Sequence, residues 1–239
     1  MARVSKDKVL QRPDEIIDAC ETLYKTKRFS DVSLKDISEM TSLSRPSIYN
    51  YFKTKEEIFL SLLTREYKEW IEELRAAIQP SLTYISSLNA EATRTSLTHS
   101  VQKIDHECLL DEAVQSFARI VAKSLASHEL LLRIQCTNLY EIEENSRIEF
   151  LVEFKHVFKE AIMTVDEGLA AYFPHISEQA RGDFSYAFFP FIYGVYPYVY
   201  PSAKQKLAMD EAAIQYKAIT IEQIIYACVE PLLRGLVSK

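Results

Sequence analysis

Apolar and polar positions first settle into a helical period near the start of the chain. Ile16, Ile17, Ala19, Cys20, Leu23 and Tyr24 recur at intervals of three and four, which puts them on one stripe of a helix. Pro13, Asp14 and Glu15 suit its first turn, and Lys25, Lys27 and Arg28 its last, each sign matching the nearer pole of the helix dipole. After a short connection over 29–32, Ser33 and Asp36 have the spacing of a capping box. A second helix is therefore predicted from Leu34, burying Leu34, Ile37 and Met40. Ser42 and Leu43 interrupt it. Ser44 then suits the N-cap of a third helix, with Pro46 in the first turn, where no amide proton is needed. That helix is expected from Arg45 to about Phe52, with Ile48 and Phe52 facing inward beside Leu43. Thr54 and Glu57 repeat the capping spacing. The stripe Ile58, Phe59, Leu62, Leu63, Trp70, Ile71, Leu74 and Ile78 then marks a long fourth helix, expected to end before Pro80.

Beyond Pro80 no period-two alternation and no hairpin dipeptide between apolar runs is found, so strands are not expected. Residues 81–99, rich in Ser and Thr, read as a connection with some irregular or short helical structure. Further helices are expected around 113–125, 130–136, 148–172, 184–199 and 221–236, Pro174 ending the third of these. The pattern is all-α. It divides into a basic arm at 1–12, a group of short helices at 13–55, and a larger helical part at 56–239.

Composition narrows the chemistry. Of 239 residues, 48% are hydrophobic and 26% charged, which supports a sizeable core. The four glycines all lie at Gly168 or later, so neither a P-loop nor a G-x-G-x-x-G turn is present, and a nucleotide-binding α/β enzyme is excluded. Cys20, Cys108, Cys136 and Cys228 are too widely spaced for a zinc knuckle or a redox pair, and are expected to be reduced and mostly buried. No cofactor or metal is expected. No apolar stretch follows the N-terminal basic residues as a signal peptide would require, and a cytoplasmic protein is expected. Residues 184–203 carry no charge over twenty positions, but Pro190, Pro197, Pro201 and five tyrosines favour a buried helix over a membrane span.

Net charge is −6 over the whole chain, yet the first 60 residues hold 11 Lys+Arg against 10 Asp+Glu, leaving 17 against 24 for the rest. Arg3, Lys6, Lys8 and Arg12 face Asp7 alone, giving an arm that either follows a phosphate backbone or is a solvated terminus. Two short helices joined by a tight turn, the second presenting Arg, Ser, Asn and Tyr near its N-terminus, meet the demands of a helix-turn-helix. Arg45 has the donors for guanine and Asn50 the pair of groups for adenine, while serine, tyrosine and lysine suit phosphates. Short helices with polar faces also serve as packing units in all-α domains, so spacing alone leaves both readings open.

The stretch Ser33-Leu34-Lys35-Asp36-Ile37-Ser38, then 43–59 with Leu43-Ser44-Arg45-Pro46-Ser47-Ile48-Tyr49-Asn50-Tyr51-Phe52-Lys53-Thr54-Lys55, resembles the DNA-binding domain of TetR-type transcriptional regulators. The resemblance covers about residues 12–60, including the run Tyr49, Phe52, Lys55. Lys27-Arg28, Ser38 and Ser42 depart from it, standing where the family often has glycine, alanine and glycine, which bears on two turns and one helix contact. The resemblance implies that 44–51 is the recognition segment, opened by Ser44 and Pro46, with Arg45, Ser47 and Asn50 as base readers. Tyr49, Tyr51 and Lys55 would hold the backbone, and Lys35 either. It further implies a homodimer formed through the last two helices, a pseudo-palindromic double-stranded operator, and an effector pocket among the middle helices. Repression relieved by a small apolar or aromatic effector is the expected function.

Phe117, Tyr140, Phe154, Phe158 and Tyr193 are the candidate pocket liners, with His156 or Glu141 as a polar anchor, although aromatics at helical spacing equally mean core. Nine of the chain's 27 aromatics fall within 184–200, a density suited to a cavity, a core or a subunit interface. An all-α enzyme using His99, His106, His128 or His156 is the rival from another class. His106-Glu107 and His128-Glu129 are sequence neighbours, whose side chains diverge on a helix, so they form no general-base pair. A helical interaction module without DNA is the other rival.

Overall fold

The computed structural model describes residues 12–94 and 99–238, with side chains described for 12–79, 108–137 and 139–238. The basic arm lies outside these residues but for Arg12, as do the side chains of His99 and His106. All described secondary structure is helical. In chain order the helices are α1 (Arg12–Thr26), α2 (Leu34–Glu39), α3 (Arg45–Ile48), α4 (Lys55–Arg94), α5 (His99–Ser127), α6 (Glu129–Glu144), α7 (Ile148–Tyr172), α8 (Glu178–Val199), α9 (Ala203–Glu211) and α10 (Ile221–Val237), with a 3-10 turn at Phe29–Asp31.

The chain forms two compact units, the first of which is discontinuous in sequence. It takes the described residues up to Tyr67 together with Thr137–Phe158; the second takes Lys68–Cys136 and Lys159 onward.

In the first unit, local capping sets the short helices. The Ser33 hydroxyl accepts the Asp36 amide proton while the Asp36 carboxylate accepts that of Ser33, closing the capping box that starts α2. Lys27 donates to the same carboxylate at 2.8 Å. Its salt bridge and the Ser33 bonds hold the Asp36 carboxyl well below the usual carboxylate range. Ile16, Cys20, Tyr24, Ile37, Ile48, Phe52, Ile58 and Phe59 are buried around this group of helices. The Tyr24 ring meets Phe59 edge-on at 5.0 Å, and the Tyr24 and Thr137 hydroxyls share a hydrogen bond of 3.0 Å. Burial pushes the Cys20 thiol well up.

In the second unit, α10 packs on α5 and α8 through Ile225, Val229 and Leu233. Trp70 is fully buried and donates its indole proton to the Ser124 hydroxyl at 3.0 Å. Gln135 on α6 donates to the Ile192 carbonyl of α8.

Several expectations need correction. Pro80 does not end α4, which continues to Arg94 through the stretch read as a connection. Pro190 and Pro197 lie inside α8 and Pro231 inside α10, as the expected helices over 184–199 and 221–236 require. An interior proline removes one ladder bond, a local cost that a well-buried face on neighbouring turns outweighs. Met40 is not buried on α2 but 48% exposed, because the helix ends at Glu39 before that position completes its stripe. Of the four thiols only Cys20 is buried; Cys108 is exposed and Cys136 and Cys228 are half-buried. The buried aromatic helix is buried on one side only. Phe184, Phe188 and Phe189 point into the unit, whereas Tyr186 and Tyr198 are exposed.

Lys27-Arg28 and Ser42, which stand where the family often has glycine, need no left-handed backbone. Among the described residues, the backbone takes a positive φ at Ala213 alone, so neither the turn after α1 nor the one at Ser42 requires a left-handed residue. Ser42 is instead tied to α1, its amide and hydroxyl both donating to the Glu15 carboxylate, at 2.5 and 3.1 Å.

Candidate nucleic-acid interface

Helices α2 and α3 stand either side of the turn that Glu15 fastens, and α3 opens with a cap. The Ser44 hydroxyl accepts the Ser47 amide proton at 3.4 Å and lies 2.8 Å from the Ser47 hydroxyl, with Pro46 in the first turn. Regular helix ends at Ile48 instead of continuing to Phe52. From there the bonds Asn50 to Ser47 and Tyr51 to Ile48 span three residues and tighten the last turn, a common way of satisfying terminal carbonyls.

Ile48 is fully buried and Phe52 nearly so, which fixes the roll of the segment. Ser44, Arg45, Pro46 and Asn50 are consequently exposed, and Ser47, Tyr49 and Tyr51 half-buried. Arg45 donates to the Tyr49 hydroxyl at 3.3 Å and lies over its ring at 5.9 Å. Lys35 is exposed, with Glu39 at 3.7 Å, a weak tie across one helical turn.

Lys55 is tied to the fold itself. Its ammonium donates to the Phe29 carbonyl at 2.8 Å and stands 4.3 Å from the Phe29 ring centre, bracing the 3-10 turn against the start of α4. Lys53, which the sequence did not single out, donates to the Tyr49 carbonyl at 2.5 Å and so closes the end of the same segment.

Glu57 does more than cap α4. Its amide donates to the Thr54 hydroxyl at 3.2 Å as the spacing predicts, but its carboxylate is buried and accepts from the Lys53 amide at 2.6 Å and from Arg147 at 2.7 and 3.1 Å. Burial opposes ionisation here. The Arg147 side chain and the Lys53 and Arg147 amides outweigh it, leaving the carboxyl below its usual range. Arg147 also donates to the Tyr51 carbonyl at 2.8 Å. No local spacing points to Arg147, ninety positions from Glu57.

The aromatic candidates for an effector pocket are divided between the two units. Tyr140, Phe154 and Phe158 belong to the first unit, Phe117 and Tyr193 to the second. Phe154 is fully buried against Tyr67 at 5.8 Å, and Phe117 against Tyr172 and Phe173 at 5.1 and 6.1 Å. Tyr140 is 83% exposed, and Glu141 and His156 are exposed. His128 pairs with Glu73 at 3.0 Å. Among the described residues no cluster of ligating side chains could hold a metal ion, and no helix is long and apolar enough to cross a membrane.

An all-helical chain with a capped, outward-facing polar segment anchored by two buried apolar residues has the build of a helix-turn-helix transcriptional regulator. Residues 16–62 match the model described as bacterial regulatory proteins, tetR family, and residues 64–239 match that described as tetracyclin repressor-like, C-terminal domain. The chain belongs to the TetR family of transcriptional regulators.

Among curated relatives it is 32% identical over 72 residues to the HTH-type transcriptional regulator YfiR of Bacillus subtilis, covering 30% of this chain and 35% of that one. It is 37% identical over 62 residues to the HTH-type transcriptional regulator EthR of Mycolicibacterium smegmatis, covering 26% and 27% respectively. The matches thus span about a third of these relatives' length. A TetR-family transcriptional regulator from Mesorhizobium loti shares the fold over 96% of both chains, with a TM-score of 0.53 at 12% identity.

Proposed function

We propose that the chain is a repressor that binds a pseudo-palindromic operator as a homodimer and is released by a small-molecule effector. The exposure of Arg45 and Asn50 beside the buried Ile48 and Phe52 carries this reading. It offers a guanine-pairing fork and an adenine-pairing amide on a segment whose roll is fixed from behind. Ser44, Ser47, Tyr49, Tyr51 and Lys55 surround them with phosphate donors, and Lys35 lies exposed at the start of α2. Pairing of α8 and α10 with a second copy accounts for tyrosines at positions such as Tyr186 and Tyr198, which are 85% and 71% exposed in one chain. Two recognition segments one turn of DNA apart then read a two-fold site. An effector acts by favouring the state with the wrong spacing, to the extent of its difference in affinity between the states.

The test is selection of duplexes from a random pool by the purified full-length protein at two salt concentrations. Enrichment of a palindrome bound with steeply salt-dependent affinity is the expected result. Weak, sequence-indifferent binding at both salts would count against the reading.

A further inference from the structure

We infer that Arg147 is a positioning residue for DNA recognition, holding the exit of the recognition segment from the turn between α6 and α7. The inference rests on the DNA-binding reading above and adds a residue from outside the helix-turn-helix.

Asn145 and Arg147 of that turn, with Phe150 of the first turn of α7, converge on residues 51–57. The Arg147 guanidinium donates to the Tyr51 carbonyl at 2.8 Å and to both carboxylate oxygens of Glu57, and its amide adds a bond of 3.3 Å to Glu57. The Thr54 hydroxyl donates to the Asn145 carbonyl at 3.1 Å. The Phe52 and Phe150 rings lie 5.5 Å apart. Glu57 passes the constraint on, since its carboxylate also accepts the Lys53 amide proton.

Tyr51 closes the last turn of the recognition segment and Phe52 anchors it. A planar guanidinium with several fixed donors can hold a carbonyl and a carboxylate at once, which a single-point ammonium cannot do in the same geometry. The Glu57 side chain is 1% exposed, so withdrawing Arg147 leaves a buried carboxylate short of its cation and forces the 51–57 segment to rearrange.

Helix α6 begins in the second unit and ends in the first, and α7 runs back the other way.

The probe is the duplex that the wild-type protein selects from the random pool, titrated by fluorescence anisotropy against full-length wild type, Arg147→Ala, Arg147→Lys and Glu57→Gln. Arg147→Ala is expected to weaken binding about tenfold while keeping its helical circular dichroism and an unchanged salt slope. Arg147→Lys should recover part of the loss, and Glu57→Gln combined with Arg147→Ala should add little to either alone. Binding by folded Arg147→Ala within about twofold of wild type would overturn the inference. So would a salt slope smaller by about 0.9, which would make Arg147 a phosphate ligand. Should Arg147→Ala fail to fold, Arg147→Lys and Glu57→Gln carry the same comparison. Should the wild type select no duplex, the DNA-binding reading falls by itself. Hydrogen exchange then decides the clamp: amides of 50–53 must exchange faster in Arg147→Lys and Glu57→Gln, and unchanged protection overturns it.

Discussion

Replacing Lys55 by methionine tests its tie to Phe29 and its proposed contact with DNA together, because the variant keeps most of the stem and removes the charge. In the structure the ammonium makes a charged hydrogen bond to the Phe29 carbonyl at 2.8 Å and sits 4.3 Å from the Phe29 ring. Such a bond and a cation–π contact at a half-buried site together contribute about 1–2 kcal/mol. For a chain of this size that is a fall in Tm of about 3–6 °C. The ammonium has three protons and the carbonyl takes one, so a DNA phosphate can take another, and losing that contact lowers the salt slope by about 0.9. Arg45→Ala provides the contrast. Arg45 is exposed and touches the neighbouring Tyr49 at the end of its own short helix, so its loss should move Tm by less than about 1 °C while weakening the proposed operator binding by about 1–3 kcal/mol. Thermal melts by circular dichroism and anisotropy titrations between about 50 and 200 mM salt give both numbers for both variants. A Lys55→Met protein that melts with the wild type would refute the tie to Phe29.

A Cβ on Gly168 would stand 2.9 Å from both Ile78 and the buried, edge-packed Phe117 ring, whereas one on Gly182 meets nothing within 4 Å. Gly168→Ala should therefore lower Tm by several degrees, overpacking of about 1–3 kcal/mol exceeding the helix-propensity gain, and Gly182→Ala should raise it; a higher Tm for Gly168→Ala would contradict the close approach. The Asp36 carboxyl, held down by Lys27 and Ser33, stabilises the fold above its unfolded value near 3.8, and that contribution is lost as pH falls below it. Urea midpoints of wild type and Asp36→Asn should thus differ near neutrality and converge in acid, and a constant difference would sink the assignment. Tyr186→Arg, at an 85% exposed position of α8, should leave a single chain's packing intact but place a charge in the proposed subunit contact. Sedimentation should then show a monomer; an unchanged dimer would move the contact elsewhere.

The start of the chain was legible because its determinants are local. Caps at Ser33, Ser44 and Thr54 act over three residues, and the stripe of Ile16, Cys20 and Tyr24 is a repeat within one helix. Ile48 and Phe52 could be set inward from spacing alone. Where the reading failed, the deciding force was not local. Pro80 carries a penalty that is visible in sequence, but the burial of Ile71, Leu74 and Ile78 that sustains the helix is a property of packing. Helix α9 was unread because none of its residues is buried, so it has no apolar period to read. The aromatics of 184–200 gave the right helix, yet which rings turn outward depends on what the helix packs against. There the hydroxyl-bearing rings Tyr186 and Tyr198 face solvent and Phe184, Phe188 and Phe189 do not.

Arg147 shows the same limit at the site itself. A motif match over 16–62 ends before residues 137–158, which complete the first unit and supply the cation for Glu57. The capping spacing Thr54 to Glu57 reads as a helix start and is one, but Glu57 turns its carboxylate away from the Thr54 amide toward Lys53 and Arg147. A buried acid in a helix's first turn is favoured by the dipole only in part and still calls for a cation. What the motif over 16–62 specifies is therefore which side chains the segment exposes. The bonds that hold Tyr51 and Glu57 come from a turn that the motif does not contain, and α6 and α7 continue from that turn into the second unit.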